Sequence, residues 1–167
     1  MYKIYVSITT SIILIFIYIF YRSQLLTQIP CDPTIVNSLY RHFVHIDLSH
    51  IVSNIFALIV LSKIENKIGS KKFFILLILL IILNTIFDYI FRIIVKNSKC
   101  SIGFSGILFG LLSYSLITNS NNGKINLQII ALIIILTIEP SMKSKNVSLV
   151  GHSIGAISGI IIALFYK

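Results

Sequence analysis

The stretch DLSHIVSNIFALIVL, residues 47–61, places His50 and Asn54 at the start of an otherwise apolar segment. Because a helix has 3.6 residues per turn, these two side chains, four positions apart, share one face. Polar and ionisable side chains are costly inside a membrane, so each one is a candidate functional residue. This stretch therefore predicts a transmembrane helix with a functional pair near its beginning.

Two later segments repeat the pattern of a polar residue at the start of an apolar run. CSIGFSGILFGLL, residues 100–112, carries Ser105, and LVGHSIGAISGII, residues 149–161, carries His152. A serine, a histidine and a His–Asn pair on three apolar segments together predict a hydrolytic site.

The composition of the chain predicts a membrane protein. Of its 167 residues, 56% are hydrophobic and only 11% are charged, and the mean hydropathy is +0.96, which leaves too little polar surface for a soluble domain. We expect an all-α fold, a bundle of six transmembrane helices in which residues 1–167 form one membrane domain. The predicted spans are about residues 6–21, 49–62, 73–95, 104–118, 125–139 and 150–166.

The first apolar run could also be a cleavable signal peptide, because it follows Lys3. However, the run is bulky throughout (IILIFIYIF) and ends in YRSQLL, which lacks the small-residue pattern of a cleavage site. We interpret it as the first transmembrane helix.

The formal net charge of +9 comes from basic residues in short stretches beside the apolar runs. This arrangement is typical of anchoring at a membrane surface, and nucleic acid is not an expected partner. Assigning the loops alternately to the two sides of the membrane gives seven basic residues on each side, so charge alone does not decide the orientation. The densest cluster, KIENKIGSKK at 63–72, favours a cytoplasmic location for itself and for both termini. We expect Glu65 and its neighbouring lysines to form a solvated or headgroup-facing turn.

The order of the spans brings the polar residues to one side of the membrane. The second, fourth and sixth spans must all cross in the same direction, and the polar residues lie near the start of each. Counting back about 20 residues from the helix ends places His50, Ser105 and His152 about five to seven residues into their helices. We therefore expect one site, on one side of the membrane.

Small residues suggest how the serine and histidine could meet. Glycines at intervals of about four residues let two helix backbones approach closely in lipid, so the fourth and sixth spans could pack face to face. The glycines concerned are Gly103, Gly106, Gly110, Gly151, Gly155 and Gly159.

These residues predict a mechanism of serine hydrolysis. A serine hydroxyl becomes nucleophilic when a neutral histidine takes its proton, so we assign Ser105 as nucleophile and His152 as general base and then acid. The five carboxylates lie mostly in loops or at helix ends, so a dyad is favoured over a triad. The Ser105 backbone N–H and the side chains of His50 and Asn54 could stabilise the oxyanion. His42 and His45 are expected to be structural loop residues.

The chain resembles the rhomboid intramembrane serine proteases. Their second span carries H-x4-H-x3-N, here His45, His50 and Asn54; their fourth carries G-x-S-G, here GFSG at 103–106; and their sixth carries a histidine followed by small residues, here GHSIGAISG at 151–159. ENKIGSKK at 65–72 is similar to an E-x-x-x-G stretch of the family. Tyr40-Arg41 stands where many members have Trp-Arg.

The resemblance implies a six-helix bundle with a water-accessible cavity that opens to the extracytoplasmic side, no metal or organic cofactor, and transmembrane protein substrates in a lipid bilayer. It also implies supporting roles for Gly103, Gly106 and Gly155 beside the site. Phe109 stands where some members have a tyrosine against the catalytic histidine. Because Phe109 keeps an aromatic ring, we expect this packing to be retained.

Other functions are compatible with parts of this pattern. A rhomboid-like pseudoprotease would bind membrane proteins without cutting them, and a rhomboid-like sortase would differ only in its substrate. A small channel could use polar residues at helix starts to line a pore, but no charged path is evident. A zinc protease is disfavoured, since there is no H-E-x-x-H and no carboxylate beside a helical histidine.

Cys31 falls in the first loop (residues 22–48), and Cys100 falls in the third loop (residues 96–103). Both loops lie on the same side as the predicted site. They could form a disulfide if that side is oxidising. Because cysteines in different loops are more often unpaired, we expect free thiols.

Overall fold

The computed structural model describes residues 4–23, 31–95, 100–118 and 149–166. Within these ranges every regular element is an α-helix, as predicted. The predicted span at residues 125–139 lies outside the described residues. The helices are α1 (Tyr5–Arg22), α2 (Ile35–Arg41), α3 (Leu48–Ile68), α4 (Ser70–Ile94), α5 (Ser105–Thr118) and α6 (Leu149–Phe165).

Three of the described helices are long and apolar enough to cross a membrane, namely α1, α3 and α4. The other two apolar helices are shorter, with 14 residues in α5 and 17 in α6. Large hydrophobic side chains point outward from the bundle, including Phe16 and Phe74, which are more than half exposed. This outward apolar surface is what lipid would cover, and the fold is a helical membrane bundle. The count of six spans stays a prediction.

The helices that carry the candidate residues begin later than the counting of 20-residue spans predicted. Asp47 ends the preceding loop and caps α3, because its carboxylate accepts the His50 N–H at 2.8 Å. Gly103 has a φ of +104°, so no right-handed helix runs through it, and α5 begins at Ser105. His50, Ser105 and His152 are thus the third, first and fourth residues of their helices.

The stretch predicted as a solvated turn is helical and holds a buried carboxylate. α3 continues to Ile68, and Gly69, with a φ of +85°, is the single residue between α3 and α4. Glu65 is fully buried. Its carboxylate accepts hydrogen bonds of 2.9 Å from the backbone N–H groups of Val6 and Ser7. The prediction for Glu65 was wrong because the N-terminal turn of α1 offers unpaired N–H donors that favour a negative charge.

A second buried carboxylate ties the first loop to α4. Arg41, at the end of α2, is 1% exposed and donates to the Asp88 carboxylate and, at 2.9 Å, to Ser38 Oγ. Both charges are away from solvent, so removing either partner would leave an unpaired buried ion. This ion pair holds α2 against α4.

Cys31 and Cys100 form a disulfide, so the expectation of free thiols was wrong. The Arg92 guanidinium also donates to the Cys31 carbonyl, which brings Cys31 to the end of α4. This places Cys31 beside the segment that leads into α5. The two cysteines are far apart in sequence but are brought together by the packing of α2 on α4.

Glycines allow α5 and α6 to touch through their backbones, as predicted. A Cβ atom added to Gly155 would overlap the Gly106 carbonyl, and one added to Gly159 would overlap the Gly110 carbonyl. Small residues at such positions are the usual basis of close helix packing in membranes. The distance between α5 and α6 is therefore set by backbone atoms.

We expect Gly159→Ala to lower the free energy of unfolding by about 2 kcal/mol, because the new methyl group must displace the Gly110 carbonyl. The measurement is thermal unfolding in detergent. Ile157→Ala is a matched control on the same helix, since Ile157 is half exposed. A Gly159→Ala protein as stable as the wild type would contradict the backbone contact.

Candidate active site

Ser105 and His152 form a hydrogen-bonded pair where α5 and α6 begin. The distance between His152 Nε2 and Ser105 Oγ is 3.0 Å, and both residues are more than nine-tenths buried. The neighbouring glycine contact between Gly106 and Gly155 sets the helix spacing at this level. A neutral imidazole at this distance can accept the serine proton, so the geometry is suited to general-base catalysis.

The ring of His152 is held by an aromatic stack. Phe109 lies one turn after Ser105 on α5, and its ring centroid is 4.4 Å from that of His152, with 23° between the planes. The expected packing of Phe109 on this histidine is confirmed. On the other side of the ring, His152 Nδ1 is buried and has no hydrogen-bond partner among the described residues. The arrangement in this part of the chain is therefore a Ser–His pair with an aromatic support.

His50 and Asn54 lie on α3 and face the loop that precedes Ser105. A Cβ atom added to Gly103 would be 2.5 Å from Cε1 and 2.6 Å from Nε2 of His50, so only glycine fits beneath this ring. The same added atom would be 3.5 Å from Asn54 Nδ2. Three helices thus bring the four predicted polar residues to one region of the bundle.

The backbone at Ser105 adds a further donor. Ser105 is the first residue of α5, so its N–H has no acceptor within the helix, and it lies at the positive end of the helix dipole. A helix N-terminus attracts negative charge, and this one coincides with a serine hydroxyl. The region can therefore accommodate an oxyanion that develops beside Ser105 Oγ.

Helical spacing predicted His45 to be a structural loop residue, although it is also the first residue of the H-x4-H-x3-N pattern. The loop placement is right, since α3 begins at Leu48, but His45 is fully buried and contacts the site directly. Asn54 Nδ2 donates to His45 Nε2 at 2.8 Å, and the rings of His45 and His50 meet edge to face at 5.0 Å. Helical periodicity could not reveal this contact, because it depends on the path of the loop before α3.

The first loop also holds the segment before Ser105. The Gly103 N–H donates to the Arg41 carbonyl at 2.9 Å, and the rings of Phe43 and Phe104 lie 6.1 Å apart. Within the described residues no group of three or more His, Cys, Asp or Glu side chains could hold a metal ion. The site is thus built from α3, α5, α6 and the first loop.

Comparison with known proteins finds one family and one similar viral protein. The family model described as "Rhomboid domain" matches residues 34–167. The chain is also 28% identical over 160 residues to the protein named "Putative rhomboid protein L523" of Acanthamoeba polyphaga mimivirus. That alignment covers 95% of this chain and 90% of the viral protein.

The burial of His42 in the first loop predicts that the fold is less stable at acid pH. Burial lowers the pKa of His42 to about 4, despite the nearby Asp88 carboxylate, so this imidazole is neutral when folded. The unfolded chain binds a proton near pH 6.5, so stability falls as the pH drops from about 6.5 to 4. We expect His42 to account for up to about 3 kcal/mol of this loss.

The measurement is thermal unfolding in detergent across this pH range, with His42→Leu beside the wild type. The variant should lose less stability between pH 7 and pH 4, because it has one titrating imidazole fewer. Equal losses in the two proteins would contradict a neutral, buried His42.

Proposed function

The chain belongs to the rhomboid family, and we propose that it is an intramembrane serine endopeptidase. Its substrates would be other membrane proteins, cut in or near their transmembrane segments. The single observation that carries this proposal is the 3.0 Å hydrogen bond between His152 Nε2 and Ser105 Oγ. Membership of the family supports the reaction class, and this pair supplies a nucleophile with its base.

In the proposed mechanism, His152 takes the proton of the Ser105 hydroxyl as the oxygen attacks the scissile carbonyl. The protonated imidazole then donates that proton to the leaving amine, which leaves an acyl group on Ser105 Oγ. Water, deprotonated by His152, releases the acid and restores the serine. The stack on Phe109 keeps the imidazole in position for both transfers.

The negative charge on the tetrahedral intermediate requires hydrogen-bond donors. We assign this role to the Ser105 backbone N–H and to the side chains of His50 and Asn54. The side chains of His50 and Asn54 lie against Gly103, two residues before Ser105, where a Cβ atom would overlap the His50 ring. Gly106 and Gly155 support the site by letting α5 and α6 approach.

The membrane topology is part of the proposal. We place both termini in the cytoplasm and the site on the extracytoplasmic side, as the cluster of basic residues at 63–72 favours. The disulfide between Cys31 and Cys100 supports this orientation, because disulfides persist in oxidising compartments. Neither a metal nor an organic cofactor takes part in the proposed reaction.

We expect the purified protein, in detergent or liposomes, to cleave a reporter protein with one transmembrane segment. Ser105→Ala and His152→Ala should each abolish cleavage, because the nucleophile or its base is lost. A fluorophosphonate probe should label the wild type and should not label Ser105→Ala.

Ser158→Ala is the matched control for these variants. Ser158 is a buried serine on α6 whose hydroxyl donates to the Ile154 carbonyl of the same helix. Cleavage that persists in Ser105→Ala would overturn the assignment. A wild type that binds the reporter without cutting it would favour a pseudoprotease, and cleavage restricted to proteins with a C-terminal sorting tail would favour a sortase.

A second prediction concerns the oxyanion. Asn54→Ala should lower kcat by about 10²-fold or less, since the other donors remain, and should leave KM close to the wild-type value. The measurement is steady-state kinetics on the reporter. An Asn54→Ala enzyme with wild-type kcat would exclude Asn54 from the oxyanion site.

A further inference from the structure

The imidazole of His45 touches three parts of the candidate site. It accepts from Asn54 Nδ2, meets the ring of His50 edge to face, and lies 3.4 Å from the Phe104 backbone N–H, next to Ser105. We infer that His45 is a positioning residue that aligns the oxyanion donors. This inference rests on the proposed function.

The hydrogen bonds of His45 show which of its ring nitrogens accepts from Asn54. Nδ1 lies 3.2 Å from the Phe43 carbonyl, which can only accept, so Nδ1 carries the hydrogen. Nε2 then has a free lone pair, and the two donors that approach it are Asn54 Nδ2 and, more distantly, the Phe104 N–H. The tautomer is therefore matched to both partners.

The hydrogen bond to His45 determines how the Asn54 amide is turned. An asparagine amide nitrogen has two hydrogens, so one can bind His45 while the other remains available to an oxyanion. Asn54 Oδ1 is buried and has no hydrogen-bond partner among the described residues. The bond from Nδ2 to His45 is therefore the interaction that fixes the positions of the amide nitrogen and the amide oxygen. Without it, the amide could rotate and present an oxygen to a negative charge.

Burial keeps His45 in the form that this role requires. Burial, with a smaller contribution from the neighbouring His50, lowers the pKa of His45 to about 3, although the Phe43 carbonyl and Asp47 act in the opposite direction. The imidazole is therefore neutral at any pH near 7. A protonated ring would direct an N–H at two donors, and the hydrogen bond to Asn54 would be lost.

The position of His45 is itself set by the first loop. The ring is fully buried, and its own loop supplies the Phe43 carbonyl. The loop is tied to the segment before Ser105 by the bond between Arg41 and Gly103. His45 thus links the donor on α3 to the backbone at the start of α5, and it acts on the oxyanion through Asn54.

The experiment compares His45→Leu and His45→Gln with the wild type on the reporter substrate. His45→Leu removes the acceptor and should lower kcat by about 10²-fold or less with little change in KM, as in Asn54→Ala. His45→Gln keeps an acceptor near the position of Nε2 and should recover most of the lost kcat. His42→Leu, a buried histidine of the same loop, should keep wild-type kcat.

A double variant separates positioning from general destabilisation. In the Asn54→Ala background, His45→Leu should lower kcat by less than about threefold, because its partner is already absent. A double variant that shows the product of the two single losses would overturn the inference, and so would a His45→Leu enzyme with wild-type kcat. If His45→Leu does not fold, His45→Asn is tested in its place, because its shorter side chain cannot reach Asn54 as an acceptor. Wild-type kcat in His45→Asn would then overturn the inference.

These outcomes are distinct from a failure of the proposed function. A wild type that does not cleave, or a Ser105→Ala variant that does, overturns the protease assignment, and the inference about His45 falls with it. A wild type that cleaves beside fully active His45 variants overturns only the positioning role.

Discussion

The backbone contact between α5 and α6 is the constraint on which the candidate site depends. Ser105, a short side chain on α5, and His152, a longer one on α6, belong to different helices. Ser105 Oγ lies 3.0 Å from His152 Nε2 only because the axes of these helices are close. Gly106 and Gly155 make that distance possible, since a methyl group at Gly155 would overlap the facing carbonyl. The same closeness places Phe109 flat against His152. Helix packing and the proposed chemistry therefore have one physical origin.

Three contacts between buried polar groups join different elements of this apolar chain, which gives the bundle its specificity. Glu65 binds the first turn of α1, Arg41 binds Asp88, and Asn54 binds His45. In a bilayer an unpaired polar group has no water with which to form a hydrogen bond. Each pair therefore favours one arrangement of its two elements. The first loop takes part in two of these pairs. It is as much a part of the site's framework as the helices are.

Local sequence patterns predicted the helices and the convergence of Ser105, His152, His50 and Asn54, because hydropathy and span order are properties of the chain itself. The same patterns failed for residues whose surroundings are determined by contacts between elements that are distant in sequence. The capping of α1 by Glu65 requires a helix that is 58 or 59 residues away in sequence, and the bond of His45 to Asn54 requires the folded loop. The apolar runs predicted at 49–62 and 104–118 start within one residue of α3 and α5. Counting back a uniform length of about 20 residues placed these starts too early, because it ignores the cap at Asp47 and the positive φ of Gly103.

The disulfide between Cys31 and Cys100 closes a covalent ring of the chain. The two cysteines are 69 positions apart, and the ring contains α2, α3 and α4. A single cut of the backbone anywhere between them would leave the two fragments joined, with the arm that carries Ser105 still attached to the N-terminal portion. A nick in the first loop after Cys31 would therefore appear on a gel only after the sample is reduced.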